Sequence, residues 1–413
     1  MTLEEFLARS RVLRRLRTSP FGDCIDLYFE SFLASGYSKH HATSSITLLG
    51  DFVGWLTDRG FASRDINEQL VQAFLDWRQR RRPLRAGDRS ALRRLIAVLR
   101  AARLVAPAVP PVLDPADQLL ERYRRYLVQR RGLSAGSAEG YVWFNRRFLH
   151  DIAFTTPDDF TRLTQADIVG YVERHAHDGS PATAKILCAR LRSLLRYVHV
   201  EGYVAHDLAT CVPSVKRWRF ASLPTSLSAK QLRQVFESCD RSSAVGRRDY
   251  AVLMMLARLG LRANEVATLT LDDIDWRSGL FHIQGKGRQR ATMPLPSDIG
   301  SALADYLRHG RPASDTRRVF LRSCPPYVGF PTAQGIRDIA RRALKRAGVS
   351  GLAHHGSHVL RHSLATALLR SGATLTQIGQ VLRHRHHDTT RIYAKIDLAS
   401  LRPLALAWPG AAQ

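Results

Sequence analysis

Apolar residues recur at steps of three and four over most of this chain, and at steps of two over one short stretch. The first pattern predicts amphipathic helices, as where Leu191, Leu194, Leu195 and Val198 line one face. Around 279–296 the period changes. Gly279 to Gln284 and Arg290 to Leu295 alternate on either side of Gly285, Lys286, Gly287 and Arg288, which predicts a β-hairpin. Before it, Ser228 can cap a helix through Leu232, Val235 and Phe236, and 249–259 is a second apolar helix. Beyond it, helices are expected over about 334–348 and 358–383. Two proline-containing stretches, Ala106 to Pro111 and Val212 to Pro224, lack this periodicity and read as linkers. They divide the chain into 1–108, 115–212 and 225–413. The expected fold class is mainly α, with a small β-hairpin or sheet confined to the C-terminal domain (α+β) and two helical bundles before it.

The first two segments carry the same landmarks in the same order. Gly36, Ser38, Leu48 and Phe52 correspond to Gly132, Ser134, Phe144 and Phe148, all 96 positions apart. Further on, Leu70 to Phe74 correspond to Asp167 to Tyr171, then Leu92, Leu95 and Ile96 to Leu191, Leu194 and Leu195, and Val105 to Val204. Each copy reads as about four helices, and the shared order points to a duplicated unit rather than to chance resemblance between small bundles.

Composition then narrows the partner. The chain has 413 residues, 45% of them hydrophobic, enough to give each segment a core. No apolar run approaches the ~20 residues of a membrane span, and charges interrupt residues 1–20 where a signal peptide would be apolar, so a cytoplasmic, nucleoid-associated bacterial protein is expected, with no membrane partner. Sixty-two Lys and Arg against 36 Asp and Glu leave a net charge of +26, the footprint of a protein that meets a polyanion. Compositional bias is the competing explanation, since arginine supplies nearly all of the excess. The run Arg78 to Arg85 favours DNA on the first account and a solvated face on the second. Five scattered cysteines with no CxxC spacing suggest neither a disulfide framework nor a structural zinc.

Four stretches of the third segment carry candidate chemistry. Arg262 follows a glycine at the start of a helical pattern, where its five-donor fork can meet a phosphate, and Glu265 lies one turn on. Lys286 sits between glycines at the hairpin tip. With seven lysines against 55 arginines in the chain, a lysine there suggests work that arginine cannot do, such as giving up a proton, although a solvated turn lysine is equally consistent. His358 and Arg361, three apart, share a helix face opposite Leu360, Leu364 and Leu368. His384 ends a pattern of Leu375, Ile378 and Leu382, and Tyr393 follows after a short polar connection. Seven histidines between 354 and 387 raise the question of a metal, but no HExxH or matched Cys/Asp pattern accompanies them.

In this order the stretches resemble the tyrosine recombinase (phage integrase) family. Its pattern is a Gly-Leu-Arg box, a hairpin lysine, a His-x-x-Arg helix, a Leu-Gly-His box and a tyrosine shortly after. Here they are Gly260 to Arg262, Lys286, His358 to Arg361, Leu382 to His384, and Tyr393, nine residues beyond His384. Arg383 stands where the family usually has glycine, which puts the local backbone in doubt. The resemblance covers roughly 225–400 specifically and extends to 115–212 as a helical core-binding domain. Segment 1–108, a helical SAM-like unit, lies beyond the minimal family architecture, either as a further DNA-binding module or as an interaction surface.

The resemblance implies a site-specific recombinase acting on double-stranded DNA. Tyr393 would attack the scissile phosphate to give a 3′-phosphotyrosyl link. Arg262, Arg361 and His384 would hold the phosphate oxygens, Lys286 would protonate the leaving 5′-oxygen, and His358 would accept the tyrosine proton. No cofactor, nucleotide or metal is implied. A homotetramer on two DNA sites is implied, companion recombinases fit the same scheme, and the apolar tail from Leu398 to Trp408 is suited to dock on a neighbouring subunit or on its own domain. The N-terminal unit tilts the setting toward integration or transposition of a mobile element. Two alternatives stay open: a type IB topoisomerase, which shares the chemistry without pairing sites, and a catalytically silent DNA-binding protein.

Overall fold

A computed structural model describes residues 16–19, 22, 25–85, 87–107, 113–177, 179–215, 225–285, 290–352, 356–384 and 389–396. Two compact units make up the chain, one of 109–221 and one that takes in 1–108 and 222–413. Lys286 and the tail from Leu398 to Trp408 lie outside the described residues.

The described residues of 25–105 build four α-helices around one core: α1 (Ile25–Ala34), α2 (Lys39–Thr57), α3 (Glu68–Gln79) and α4 (Asp88–Ala101). The described residues of 115–215 build another four α-helices around a core of their own: α5 (Pro115–Gln129), α6 (Ala135–Asp151), α7 (Gln165–Ala176) and α8 (Pro181–Val200). The paired landmarks fall on equivalent places. Gly36 and Gly132 both turn the chain at positive φ (+80° and +64°). Ser38 and Ser134 then cap α2 and α6, each side chain accepting a hydrogen bond from a backbone N–H three residues on. Phe52 and Phe148 are buried, as are Phe74 and Tyr171, and the Leu-x-x-Leu-aliphatic triplets of α4 and α8.

The basic run takes on a different character in three dimensions. Arg78 is buried, 2.5 Å from Asp51 and 3.6 Å from Asp88, and Arg82 pairs with the same Asp51. Part of that charge therefore ties α2, α3 and the start of α4 together instead of facing a polyanion.

The third segment packs around α10 (Ala244–Arg258), which is buried without interruption from Ala251 to Ala257. Over that stretch the helix has no solvent face, so neighbours cover it all round. α9 (Ala229–Glu237) precedes it, capped as expected by Ser228, whose hydroxyl accepts from the Gln231 N–H. α11 (Ala263–Thr268) follows, then strands β1 (Ile274–Asp275), β2 (Leu280–Gln284) and β3 (Arg290–Pro294) in one antiparallel sheet of order β1-β2-β3. Phe281 pairs with Met293, Ile283 with Ala291 and Gln284 with Arg290, which puts Phe281 and Ile283 on the buried face. Helices α12 (Ser297–His309), α13 (Gln334–Arg346), α14 (Ser357–Arg370) and α15 (Leu375–Val381) complete it.

The single helix expected over 358–383 is two. Gly372 at φ +86° stops α14, and Thr374 starts α15 with a capping box in which its hydroxyl accepts from the Gln377 N–H. The break matters, because it folds α15 back so that Ile378 and Leu382 pack with Ala365 of α14 and with Tyr393.

Candidate active site

The arginine box begins where α10 stops. Gly260 turns the chain at φ +60°, and a Cβ there would meet Leu382 at 2.7 Å and Leu364 at 3.0 Å, so glycine is required for both conformation and space. Arg262 then stands in extended conformation as the residue before α11. Glu265 closes the turn. Its Oε2 accepts from the Arg262 backbone N–H at 2.8 Å and its Oε1 from Arg262 Nη1 at 2.8 Å. The carboxylate is buried, at 2% exposure, while the Arg262 side chain keeps 33%. A buried carboxylate persists only when it is paired, and removing its partners costs about 3–5 kcal/mol.

The Leu-Arg-His box is the end of α15. The His384 N–H donates to Gly379 O at 2.9 Å and the Arg383 N–H to Gln380 O at 3.0 Å, the two bonds of a Schellman motif. Its left-handed position falls on Arg383, at φ +53°. This is the conformation a glycine adopts freely, so the backbone is the one expected of the box, with arginine bearing a strain of roughly 1–2 kcal/mol. Arg383 gains a side-chain contact in return, Nη2 donating to Glu265 Oε2 at 3.0 Å, while its backbone carbonyl accepts from Arg262 Nη2 at 3.2 Å.

Arg361, on α14, is also buried, at 5% exposure. Nη1 donates to the carbonyl of Gly260 and Nη2 to that of Leu382. These bonds fasten α14 to both boxes and fix the guanidinium between them. Burial, then repulsion from Arg262 and Arg383, lowers its pKa to about 10. His384 Nδ1 lies 2.8 Å from Thr390 Oγ1. Burial, followed by repulsion from Arg361, Arg262, His362 and Arg383, lowers its pKa to about 4, so its imidazole is neutral at pH 7.

Arg262, Arg361 and His384 are thus brought together through three consecutive residues, 382–384. His358 is the more exposed of its pair and Arg361, three residues on, the buried one, yet both Arg361 and Arg262 lie close enough to act on its charge. Surrounding protein, then Arg337, Arg361 and Arg262, push its pKa below the usual histidine value.

Tyr393 is 1% exposed, packed with Ala365, Ile378 and Leu382 in the same unit as the arginines. Burial raises its phenol to about 12, with Arg361 pulling the other way. Its hydroxyl is 2.7 Å from His362 Nδ1. The family resemblance gives His358 as the proton acceptor for Tyr393; the hydrogen-bond partner of the phenol in this structure is His362. The signal for it was helical spacing: His362, Ala365 and Leu369 form one stripe of α14, and that stripe receives Tyr393. Thr390, which orients His384, was not singled out from sequence at all.

His384 predicts a stability change with pH. Its pKa is depressed in the folded state, so between about 6.5 and about 4 the unfolded chain binds more protons than the folded one. Stability therefore falls as pH drops through that window, by about 1–2 kcal/mol from this group once partial exposure is discounted. Urea denaturation at pH 7 and pH 4.5 should show a smaller acid loss in His384→Gln; an equal loss in both proteins would rule His384 out as its source.

Residues 225–399 match the phage integrase family. A protein of Sinorhizobium fredii named "Putative integrase/recombinase y4rA" is 38% identical over 413 residues, covering 100% of both chains. The chain belongs to the phage integrase family. The tyrosine recombinase XerD of Listeria monocytogenes is 30% identical over 293 residues, covering 69% of this chain and 96% of its own. Among solved structures, the XerH site-specific recombinase in its post-cleavage complex with a palindromic difH substrate is similar with a TM-score of 0.56 and 20% identity, over 72% of this chain and 98% of that one. A lambda integrase dimer bound to a COC′ core site gives 0.51 and 14%, over 73% and 85%. This tyrosine recombinase is an enzyme of site-specific DNA recombination, cutting and rejoining DNA strands. Its mainly helical fold with a small sheet is the fold of those neighbours. No described helix is long and apolar enough to cross a membrane.

Proposed function

We propose that Arg262, Arg361, His384 and Tyr393, with Lys286 and His358, form the strand-cleavage centre of this recombinase. The observation that carries this is the convergence of two guanidinium groups and a neutral imidazole on residues 382–384, with the phenol in the same unit. Arg262 and Arg361 bind the non-bridging oxygens of the scissile phosphate as charge develops there. A Thr390 hydroxyl that donates to His384 Nδ1 leaves the imidazole proton on Nε2, free to donate to the same phosphate. Tyr393 attacks the phosphorus, the P–O5′ bond breaks, and Lys286 supplies the proton for the leaving 5′-oxygen. A 5′-hydroxyl from another strand reverses the step, so the phosphotyrosyl ester conserves the bond without a cofactor.

His362 takes the place of His358 as the first acceptor of the phenol proton, because it already holds that hydroxyl. His358, exposed and beside Arg337, is suited to the phosphate rather than to Tyr393. The phenol is buried as it stands, so attack requires the Arg391–Ile396 turn to shift when DNA binds.

The DNA partner is a duplex with specific sites, and the working assembly is a homotetramer holding two of them. The matched helices and caps of 25–101 and 115–200 support duplication of the core-binding unit, and hence a three-module organisation in which the first module reads an outer DNA element or a neighbouring protomer. That addition favours integration or transposition of a mobile element. Plasmids carrying two copies of a site selected from the DNA flanking the gene test the reading. Exchange products should form from two-site plasmids alone. Relaxation of site-free plasmids without exchange would favour a topoisomerase, and binding without either product a silent DNA-binding protein.

A further inference from the structure

Arg383 is held by more contacts than the end of a helix needs. The Schellman turn requires only a backbone that tolerates φ +53°, and glycine meets that without strain. The arginine side chain instead runs inward to 16% exposure and places Nη2 3.0 Å from Glu265 Oε2, against a carboxylate already engaged by Arg262 at 2.8 Å through both its backbone N–H and its Nη1. Its other terminal nitrogen lies against the Met293 sulfur, on β3. Meanwhile the Arg383 carbonyl accepts from Arg262 Nη2. The result is a closed ring: Arg262 to Glu265, Glu265 to the Arg383 side chain, and the Arg383 backbone to Arg262.

The charge count of that ring depends on Arg383. Arg262 and Glu265 alone sum to zero, so the cation meant for a phosphate would be neutralised by its own buried partner. With Arg383 sharing the carboxylate, the group sums to +1.

We propose that Arg383 is a positioning residue for strand cleavage, sharing the Glu265 carboxylate so that Arg262 meets the scissile phosphate as an effective cation. This rests on the assignment of Arg262 to the phosphate. Arg383 itself acts through Glu265 and Arg262 and does not touch the reacting atoms.

Glycine makes a clean probe, because Arg383→Gly keeps the carbonyl contact, relieves the backbone strain and deletes only the guanidinium. The full-length protein is followed on a nicked suicide duplex, reading the rate of covalent adduct formation at saturating protein and, separately, DNA affinity at matched salt. Arg383→Gly should slow adduct formation by about tenfold, less than the loss of a direct donor to a developing oxyanion, with DNA affinity changed by less than about twofold; Tm should fall modestly, because relief of the backbone strain offsets only part of the loss of one partner by the buried Glu265 carboxylate. Arg383→Met, which keeps the strain and most of the side-chain volume, should slow it equally, and Arg383→Lys should restore most of the rate. Should the glycine variant fail to fold, the methionine and lysine pair decides. Adduct formation at the parental rate in Arg383→Gly or Arg383→Met, or a loss of affinity in proportion to the rate, would overturn the proposal. Failure of the parental protein to form any adduct would instead refute the reading of the site on which it rests.

Discussion

Tyr393→Phe should abolish covalent attachment of DNA while leaving DNA binding intact. The substitution removes one oxygen from a side chain that packs with Ala365, Ile378 and Leu382, and a phenylalanine fills the same ring volume. The phenol's hydrogen bond to His362 is lost, and a neutral hydrogen bond contributes about 1 kcal/mol net. The fold therefore tolerates the change, with a cost of about 1 kcal/mol or a small gain, since burial already penalises the polar hydroxyl. Chemistry does not tolerate it, because no other atom on the ring can attack phosphorus. On a suicide duplex the variant should yield no protein–DNA adduct on denaturing gels, against essentially complete trapping of the parental protein. Its band shift on the intact duplex should stay within about twofold, because the phenol is buried and adds no charge to the phosphate contacts that dominate affinity. An adduct that persists in Tyr393→Phe would mean that a different nucleophile does the work, and the assignment of the whole centre would fall with it.

The parts of this molecule that were legible in sequence are those fixed by local rules. The hairpin announced itself because Phe281 and Ile283 must alternate with exposed neighbours, and the observed strands, 280–284 and 290–294, sit within the expected stretches. Ser228, Ser38 and Ser134 cap helices for a reason that needs only three residues of context. The parts that were not legible depend on where side chains point after folding. Periodicity carried the helix across Gly372, because one glycine in an otherwise helical pattern costs only about 1 kcal/mol and does not by itself declare a stop. Helical spacing put Arg361 and His358 on one face of α14, but it did not reveal the Gly260 and Leu382 carbonyls that seal Arg361 while His358 stays the more exposed. Those partners come only from tertiary packing. The same holds for His362, whose role follows from the stripe that Tyr393 happens to dock on, and for Arg78, whose burial against Asp51 and Asp88 is invisible in a run of like charges. Arg383 is intermediate: its departure from glycine was visible in sequence, but the structure was needed to show that the backbone stays left-handed and that the side chain finds a buried carboxylate.

Arg361→Lys carries the second large effect, and it strikes stability and catalysis together. The guanidinium spans two backbone carbonyls in different segments, Gly260 at the arginine box and Leu382 at the end of α15. A lysine keeps the charge but has one nitrogen on a flexible stem, so it cannot reach both oxygens in fixed geometry. One buried carbonyl loses its partner, which costs about 1–3 kcal/mol, and a more strongly hydrated ammonium must be buried in place of a delocalised cation. Urea denaturation should therefore show a loss of at least about 2 kcal/mol. Catalysis should fall further, since the fork also orients the two boxes toward the phosphate, and loss of a preorganised donor to developing oxyanion charge costs about 100- to 1000-fold in rate. The two effects separate by temperature and protein concentration. At 15 °C with saturating protein, the folded fraction of Arg361→Lys should approach that of the parental chain while adduct formation stays about 100-fold slower. If the rate recovers in step with the folded fraction, Arg361 is a structural clamp alone, and the phosphate contact must be reassigned to Arg262 with its neighbours.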